Sequence, residues 1–382
     1  MCIDFVPIWY ICALDNFFMP RINIKYTGID VFSGAGGMSL GAEMAGINVA
    51  LAIENNEHAA ETFRHNHPKS IILNKNIQNI RPQDVVKFIP FILFGGPPCQ
   101  GFSLSNTKTR NTDNTNNSLF EEFIRFVKEL NPKWILFENV EGFENFNNGK
   151  IVDELQKRLA ELGYISSVKV LCASDYGVPQ NRNRFFLVGN RLGKAFHFPT
   201  PTKKKITVHQ ALIDLPKLKN GANFQELPYR VAPNNAYLQR MRKGSKKSLQ
   251  NIVSRNKEYV IDRYNHIKPG ENWKSIPDHL MLNYKNKSNC HSGIYRRLHP
   301  DKPSVVISNY RKNMLIHPSE NRGLSVREAA RLQSFPDNFI FKGPLMHIQQ
   351  QIGNAVPPFL AYSVFKNIIH CHNARTKQKK RK

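Results

Sequence analysis

The sequence is short of paired cysteines, of acid, and of any apolar run long enough to cross a membrane. Its six cysteines, Cys2, Cys12, Cys99, Cys172, Cys290 and Cys371, show no close paired spacing, so neither a zinc site nor a disulfide framework is written in it. Cys371 stands between His370 and His372, but three adjacent ligands near a chain end make a poor tetrahedral set, and no metal is expected. This cysteine usage reads as a reducing, cytoplasmic setting. Residues 1–18 are fairly apolar, yet they contain Asp4 and Asp15 and lack a basic leading region. A signal peptide or membrane span is therefore rejected, and no membrane partner is expected. The first 27 residues read as an N-terminal extension, with Met19 a candidate working start. Deleting residues 2–18 should leave activity intact, and loss of folding would refute that reading.

The shortage of acid has a positive counterpart. Lys and Arg number 54 against 29 Asp and Glu, a formal net charge of +25 at pH 7, which implies a polyanionic partner, nucleic acid being the commonest. The excess is uneven: residues 203–295 hold 18 Lys and Arg against 6 acids, and residues 375–382 add 6 more basic residues with no acid. At 382 residues the chain exceeds what one hydrophobic core usually serves, so two domains are the default. No internal repeat or low-complexity tract interrupts them.

The chain is organised around Phe91-Ile92-Leu93-Phe94-Gly95-Gly96-Pro97-Pro98-Cys99-Gln100-Gly101-Phe102-Ser103. An apolar strand ends in two glycines, which admit close approach, and two prolines, which fix φ and hold a thiol in place. A positioned cysteine is a candidate nucleophile, active as thiolate. Upstream, Thr27–Phe32 reads as a buried strand followed by Ser33-Gly34-Ala35-Gly36-Gly37-Met38-Ser39-Leu40-Gly41 and a helical stretch to Gly46. A second strand, 48–53, ends at Glu54, and a helix covers 59–66. Strand, glycine-rich turn, helix, strand, acid is how doubly wound α/β folds hold a nucleotide-type ligand, the acid accepting ribose hydroxyls. Ser39 occupies the position where a dinucleotide fingerprint wants its third glycine, which argues against a dehydrogenase, and no lysine is placed for a phosphate loop. Further strands are expected at 74–77, 88–94, 133–137, 165–171 and 185–188, with helices at 119–130 and 151–162, as parallel βα units. The fold expected is therefore α/β, a doubly wound, mostly parallel sheet with a second, smaller and irregular domain. From about Pro199 the βα rhythm gives way to basic sequence rich in Asn and Tyr.

The Cys99 segment resembles the signature loop of the DNA (cytosine-5)-methyltransferases, and other motifs follow in that family's order over residues 28–200 and 296–365. Glu138-Asn139-Val140 and Gln180-Asn181-Arg182-Asn183-Arg184 resemble its catalytic acid and Gln-x-Arg-x-Arg blocks. Segments 296–309 and 325–337 resemble the ninth conserved block, and Gln351-Ile352-Gly353-Asn354-Ala355-Val356-Pro357-Pro358 the tenth. The resemblance implies a Rossmann-like catalytic domain over 28–200, completed by 338–372, with a target-recognition domain and hinge at 201–337 and a basic tail at 373–382. A final helix, 359–370, would pack back on the first domain.

The resemblance also implies an activity: methyl transfer from S-adenosylmethionine to C5 of cytosine in a specific double-stranded DNA sequence. It would proceed by base flipping and a covalent Cys99–C6 intermediate. Cys99 would be the nucleophile and Glu138 the acid at N3 and the exocyclic amine. Arg184 would contact the carbonyl oxygen of the base and orient Glu138, and Arg182 would buttress the nucleophile loop. The cofactor set would be Phe32, Gly34, Gly36, Gly37, Glu54, Asn76, Ile77, Pro97, Leu119 and Asn354. Asn76 stands where the family usually has aspartate. The loop 103–119 would close over the base, with Asn114-Thr115-Asn116 in place of the family's Asp-Pro-Arg. A monomer working at the nucleoid, in a restriction-modification system with a cognate restriction endonuclease, is expected. Two other readings stay open: a tRNA cytosine-5 methyltransferase, and a catalytically silent DNA-binding regulator.

Overall fold

In the computed structural model, residues 25–98, 118–202, 204–284, 293–312 and 314–374 are described here. They form a seven-stranded sheet of order β3-β2-β1-β4-β5-β7-β6 and a separate two-stranded antiparallel sheet of β8 (Asn223–Leu227) and β9 (Ser248–Ile252). In chain order the first half runs β1 (Thr27–Val31), α1 (Gly37–Met44), β2 (Asn48–Glu54), α2 (Glu57–Asn66), β3 (Ile71–Asn74), β4 (Ile92–Gly95), α3 (Ser118–Leu130), β5 (Trp134–Val140), α4 (Lys150–Glu161), β6 (Ile165–Cys172) and β7 (Asn183–Asn190). The mostly parallel α/β sheet expected from the sequence is present.

Several expected details are corrected. Tyr26 is already packed in the core and β1 starts at Thr27, so any extension ends before residue 27. The strand placed at 74–77 lies earlier, at β3, and Ile77–Asn79 is a single 3-10 turn. The strand placed at 88–94 starts only at Ile92, leaving Phe88 and Ile89 exposed. Pro90 explains this, because it has no N–H to give to a ladder. Of the last two strands only β7 is reversed: it runs antiparallel to both β5 and β6, so β6 keeps the direction of the other strands but pairs through β7. Only ten residues join β6 to β7, too few for a covering crossover helix.

Burial explains the layers. β4 and the Trp134–Phe137 stretch of β5 read as unbroken apolar runs because helices cover both sheet faces. On one face α3 packs Phe123 against Phe137 of β5, ring centroids 5.2 Å apart, with Phe126 in the same cluster; all three are fully buried, each worth about 2 kcal/mol of removed apolar surface. On the other face α10 (Pro358–Asn373) lies across α1, returning to the first strands as expected but running longer than 359–370. Its end is stitched down: Lys194 Nζ caps the carbonyls of Cys371 (3.2 Å), His372 (2.6 Å) and Ala374 (2.7 Å), and Trp134 Nε1 donates to His372 Nδ1 at 3.3 Å. His372 and Cys371 are thus docking residues of that helix.

The apolar core does not stop at residue 201. α5 (Val208–Leu212), α6 (Ala236–Met241), α8 (Val326–Leu332) and α9 (Leu345–Asn354) contribute Leu212, Tyr237, Leu238, Leu332 and Ile352 to the same cluster as Phe94 and Trp134. A distinct small cluster is confined to Val260, Tyr264, Ile267, Ile276, Met281, Tyr295 and Ile316. It is built around α7 (Glu258–Asn265) and the buried Arg263, which donates to Leu280 O at 2.8 Å and Tyr295 Oη at 2.6 Å.

α8 is anchored by buried charge. Ser325 and Glu328 form a capping box, and both Glu328 oxygens meet Arg322 at 2.8 and 2.7 Å. Arg331 lies between Asp214 at 2.6 Å and Asp337 at 2.5 Å. Although burial alone would raise it, the Arg322 guanidinium, with His317 and two hydrogen bonds, lowers the Glu328 carboxyl to about 2. Its folded value lies below its unfolded one, so the stability it gives is full above the ordinary carboxylate range and is lost as pH falls toward about 2. The shift amounts to roughly 3 kcal/mol. Glu328→Gln should therefore lose about 3 kcal/mol at neutral pH, leaving Arg322 paired with Glu320 at 2.7 Å, and urea titrations should show that deficit shrinking between about pH 5 and pH 3. A deficit that stays constant with pH would contradict the assignment.

Candidate active site

Strand register puts the expected site residues in one row. Ile53 of β2 lies opposite Val31 of β1, Val31 opposite Gly95 of β4, and Gly95 opposite Phe137 of β5. One residue further along come Glu54, Phe32, Gly96 and Glu138, at the carboxyl ends of four parallel strands. Adjacent strands are about 4.8 Å apart, so the two acids stand roughly 14 Å from each other across the sheet end. The crossovers change direction between β1 and β4, where open α/β sheets hold their ligands.

On the β5 side, Glu138 is buried and its Oε1 pairs with Arg184 Nε at 2.9 Å. Arg184 reaches it because β7 runs antiparallel beside β5, with Val140 opposite Arg184. Burial pushes the Glu138 carboxyl up, and Arg184 and Arg182 hold it back. Glycine at position 96 is required by this acid: a Cβ there would sit 2.5 Å from Glu138 Oε2. Asn139 Nδ2 donates to Pro97 O at 3.2 Å. Consecutive residues of β5 thus grip Gly96 and the buried Pro97, three and two positions before the expected nucleophile. Cys99 itself, and the loop from Gln100 to Asn117, lie outside the described residues.

On the β2 side, the glycine turn is organised on Glu54. Its two oxygens accept the backbone N–H groups of Gly34 and Asn56, both at 2.8 Å, and burial, partly offset by these bonds, raises its carboxyl. Phe32 takes the unusual φ of 69°, and the N–H groups of Phe32 and Ser33 both donate to Ile53 O at 3.0 Å. Gly36 is the left-handed residue before α1, and a Cβ on Gly37 would come within 2.4 Å of Val356 O. The segment just after Asn354 is therefore laid directly on the turn. Asn354 is exposed at the end of α9, its Oδ1 accepting from Gln350 Nε2 at 2.7 Å. The Oδ1 of Asn76 accepts from Gln78 N at 3.1 Å, with Ile77 buried beneath. Leu119 is half-buried in the first turn of α3.

The nucleophile loop that Arg182 is expected to buttress lies outside the described residues. Among the described residues Arg182 Nη1 and Nη2 donate to Ile307 O at 2.8 Å and Gly353 O at 2.7 Å. Ser39, read in sequence only as a missing glycine, donates from Oγ to Asp30 Oδ2 at 2.5 Å in full burial. That burial pushes the Asp30 carboxyl well up. An acid inside an apolar strand four residues before the first glycine of the turn was the signal for this pair. Asn139 was legible only as part of a motif, and nothing in the sequence marks its grip on Pro97.

Known proteins match this arrangement. The family model described as C-5 cytosine-specific DNA methylase matches residues 26–370. The type II methyltransferase M.DdeI of Desulfomicrobium norvegicum is 36% identical over 89% of this chain and 88% of its own length. M1.HphI of Haemophilus parahaemolyticus is 34% identical, over 93% and 90%. Among solved structures, a protein described as a DNA modification methyltransferase encoded in an Escherichia coli prophage superposes with a TM-score of 0.76 at 27% identity, covering 91% of this chain and all of that one. With its motifs in order on the carboxyl edge of this sheet, the chain belongs to the C-5 cytosine-specific DNA methylases.

Proposed function

We propose that the protein methylates C5 of a cytosine within a specific double-stranded DNA sequence, as the methylase of a type II restriction-modification system. The observation that carries the catalytic part of this reading is the Glu138–Arg184 pair pressed against Gly96 at the root of the Cys99 turn. We assign Cys99 as the nucleophile that adds to C6 of an extruded cytosine. The addition places negative charge on the ring, which Glu138 offsets by holding a proton at N3. Its raised carboxyl suits that task. Arg184 keeps Glu138 in orientation and offers a donor to the carbonyl oxygen of the base. Arg182 contributes positive potential to the same acid.

The residues on the β2 side fit S-adenosylmethionine. Glu54 accepts the backbone N–H groups of Gly34, Asn56 and Asn55; a carboxylate offers about four acceptor positions, so one is left for a ribose hydroxyl, and a Cβ built on Gly34 meets nothing within 4 Å, leaving room beside it. Phe32, Gly36, Gly37, Asn76, Ile77, Pro97, Leu119 and Asn354 complete the proposed pocket. When bound, S-adenosylmethionine supplies the methyl group as a sulfonium electrophile to the activated C5. Glu54→Ala should raise the KM for S-adenosylmethionine by about tenfold to a hundredfold, the size of one or two lost charged hydrogen bonds, and an unchanged KM would remove Glu54 from the pocket.

DNA reading is assigned to residues 201–337, centred on the separate cluster between Val260 and Ile316. Lysines and arginines there on phosphates would give a steep salt dependence. A monomer in the cytoplasm, acting at the nucleoid alongside a cognate endonuclease, completes the reading. The test is bisulfite sequencing of DNA from cells expressing the chain, with labelled methyl transfer to plasmid DNA and to tRNA in parallel. A protected cytosine in one sequence context supports the proposal. Label on tRNA alone would replace it with the RNA reading, and label on neither with the silent regulator.

A further inference from the structure

The carbonyls that end α9 pose a physical problem: the last four of any helix have no partner within it. Those of Ile352 and Gly353 lie in a buried region, directly before the exposed Asn354. Each is taken by a side chain from elsewhere. Gln333 Nε2 donates to Ile352 O at 2.7 Å and Arg182 Nη2 to Gly353 O at 2.7 Å. Gln333, fully buried after the last turn of α8, receives Gln180 Nε2 on its Oε1 at 3.0 Å. Gln180, also fully buried, donates to Leu332 O at 3.2 Å and accepts Ile307 N at 2.8 Å.

The chain of amides has only one workable direction. Because Gln180 Oε1 must face the Ile307 N–H, its amino group must face Gln333 Oε1, and the amino group of Gln333 must then face Ile352 O. The relay starts four residues before Arg184 and ends two before Asn354. It thus joins the base side of the proposed site to its cofactor side through groups that touch neither.

We propose that Gln333 is a positioning residue: through Gln180 it fixes the end of α9, and hence Asn354, relative to the Arg184–Glu138 pair. This rests on the roles proposed above for Asn354 and Arg184. Gln333→Met keeps length and bulk but removes both hydrogen bonds. It should raise the KM for S-adenosylmethionine and lower kcat, each by about tenfold, as residues acting through packed networks do. The Kd for duplex DNA should stay within about twofold of wild type on the same scale. Gln180→Met should do the same, and the double variant should be no worse than either single one, since both break one relay.

Should Gln333→Met fail to fold, Gln333→Asn, one methylene too short to span both partners, should shift KM and kcat in the same directions. A lower Tm with KM and kcat at wild-type values, or multiplicative losses in the double variant, would overturn the proposal. Asn354→Ala separates the two levels. If it raises the KM for S-adenosylmethionine while Gln333→Met does not, the relay alone is wrong. If it leaves KM unchanged, the cofactor-side role falls and the relay proposal with it.

Discussion

Cys99→Ala should abolish methyl transfer, by at least about 10⁴-fold in kcat, while the variant still binds its duplex. The reason lies in the substrate. C5 of cytosine belongs to an aromatic ring and is a poor nucleophile, and no base on the protein can change that directly. Addition of a thiolate at C6 breaks the aromaticity and gathers electron density on C5. Loss of the C5 proton and expulsion of the thiol then restore the ring. Without sulfur at position 99 the first step has no equivalent, because water and the neighbouring hydroxyls are far weaker nucleophiles at neutral pH. DNA binding is carried by phosphate and groove contacts elsewhere, so it should survive. Measured turnover in Cys99→Ala, with binding confirmed by titration of labelled duplex, would defeat the assigned role.

Glu138→Gln should come next in size, lowering kcat by about 10²–10⁴-fold. The amide is nearly the same shape, yet it cannot deliver a proton to N3, and Arg184 at 2.9 Å loses the charge that balances it in burial. The pH profile supplies the sign. Burial raises the Glu138 carboxyl against the pull of Arg184 and Arg182, so the protonated form persists to higher pH than for a free glutamate and is lost as pH rises through that raised value. Thiolate formation at Cys99 works the other way, the rate rising with pH. Wild-type kcat should therefore be bell-shaped, and Glu138→Gln should lack the falling limb. A variant that kept that limb would show that some other group sets it.

Much of this site could be read before any coordinates because its signals are local. A strand ending in Gly95-Gly96-Pro97-Pro98 announces a rigid turn whatever surrounds it. Glu54 announces itself by standing at the end of the strand after a glycine turn. What escaped depends on pairings distant in sequence. β7 enters the sheet antiparallel between β5 and β6, and an apolar run of that length looks the same in either direction. Leu212 and Tyr237 lie among lysines and asparagines, so the stretch from 203 to 252 reads as a separate basic domain, although those two side chains belong to the main core. Gln333 carries no signal of its own, since a buried glutamine and a surface one look alike in sequence. Only the folded chain sets the carbonyl of Ile352 in front of it.

The central claim is a transient bond between Cys99 and C6 of the target base. The direct measurement is to incubate the wild-type protein with S-adenosylmethionine and a duplex carrying 5-fluorocytosine at the methylated position, then denature and map any adduct by mass spectrometry. The fluorine cannot leave as a proton does, so a denaturation-resistant protein–DNA adduct on the peptide containing Cys99 is predicted. An adduct on another residue, or full methylation of the ordinary duplex with no adduct on the fluorinated one, would contradict the account.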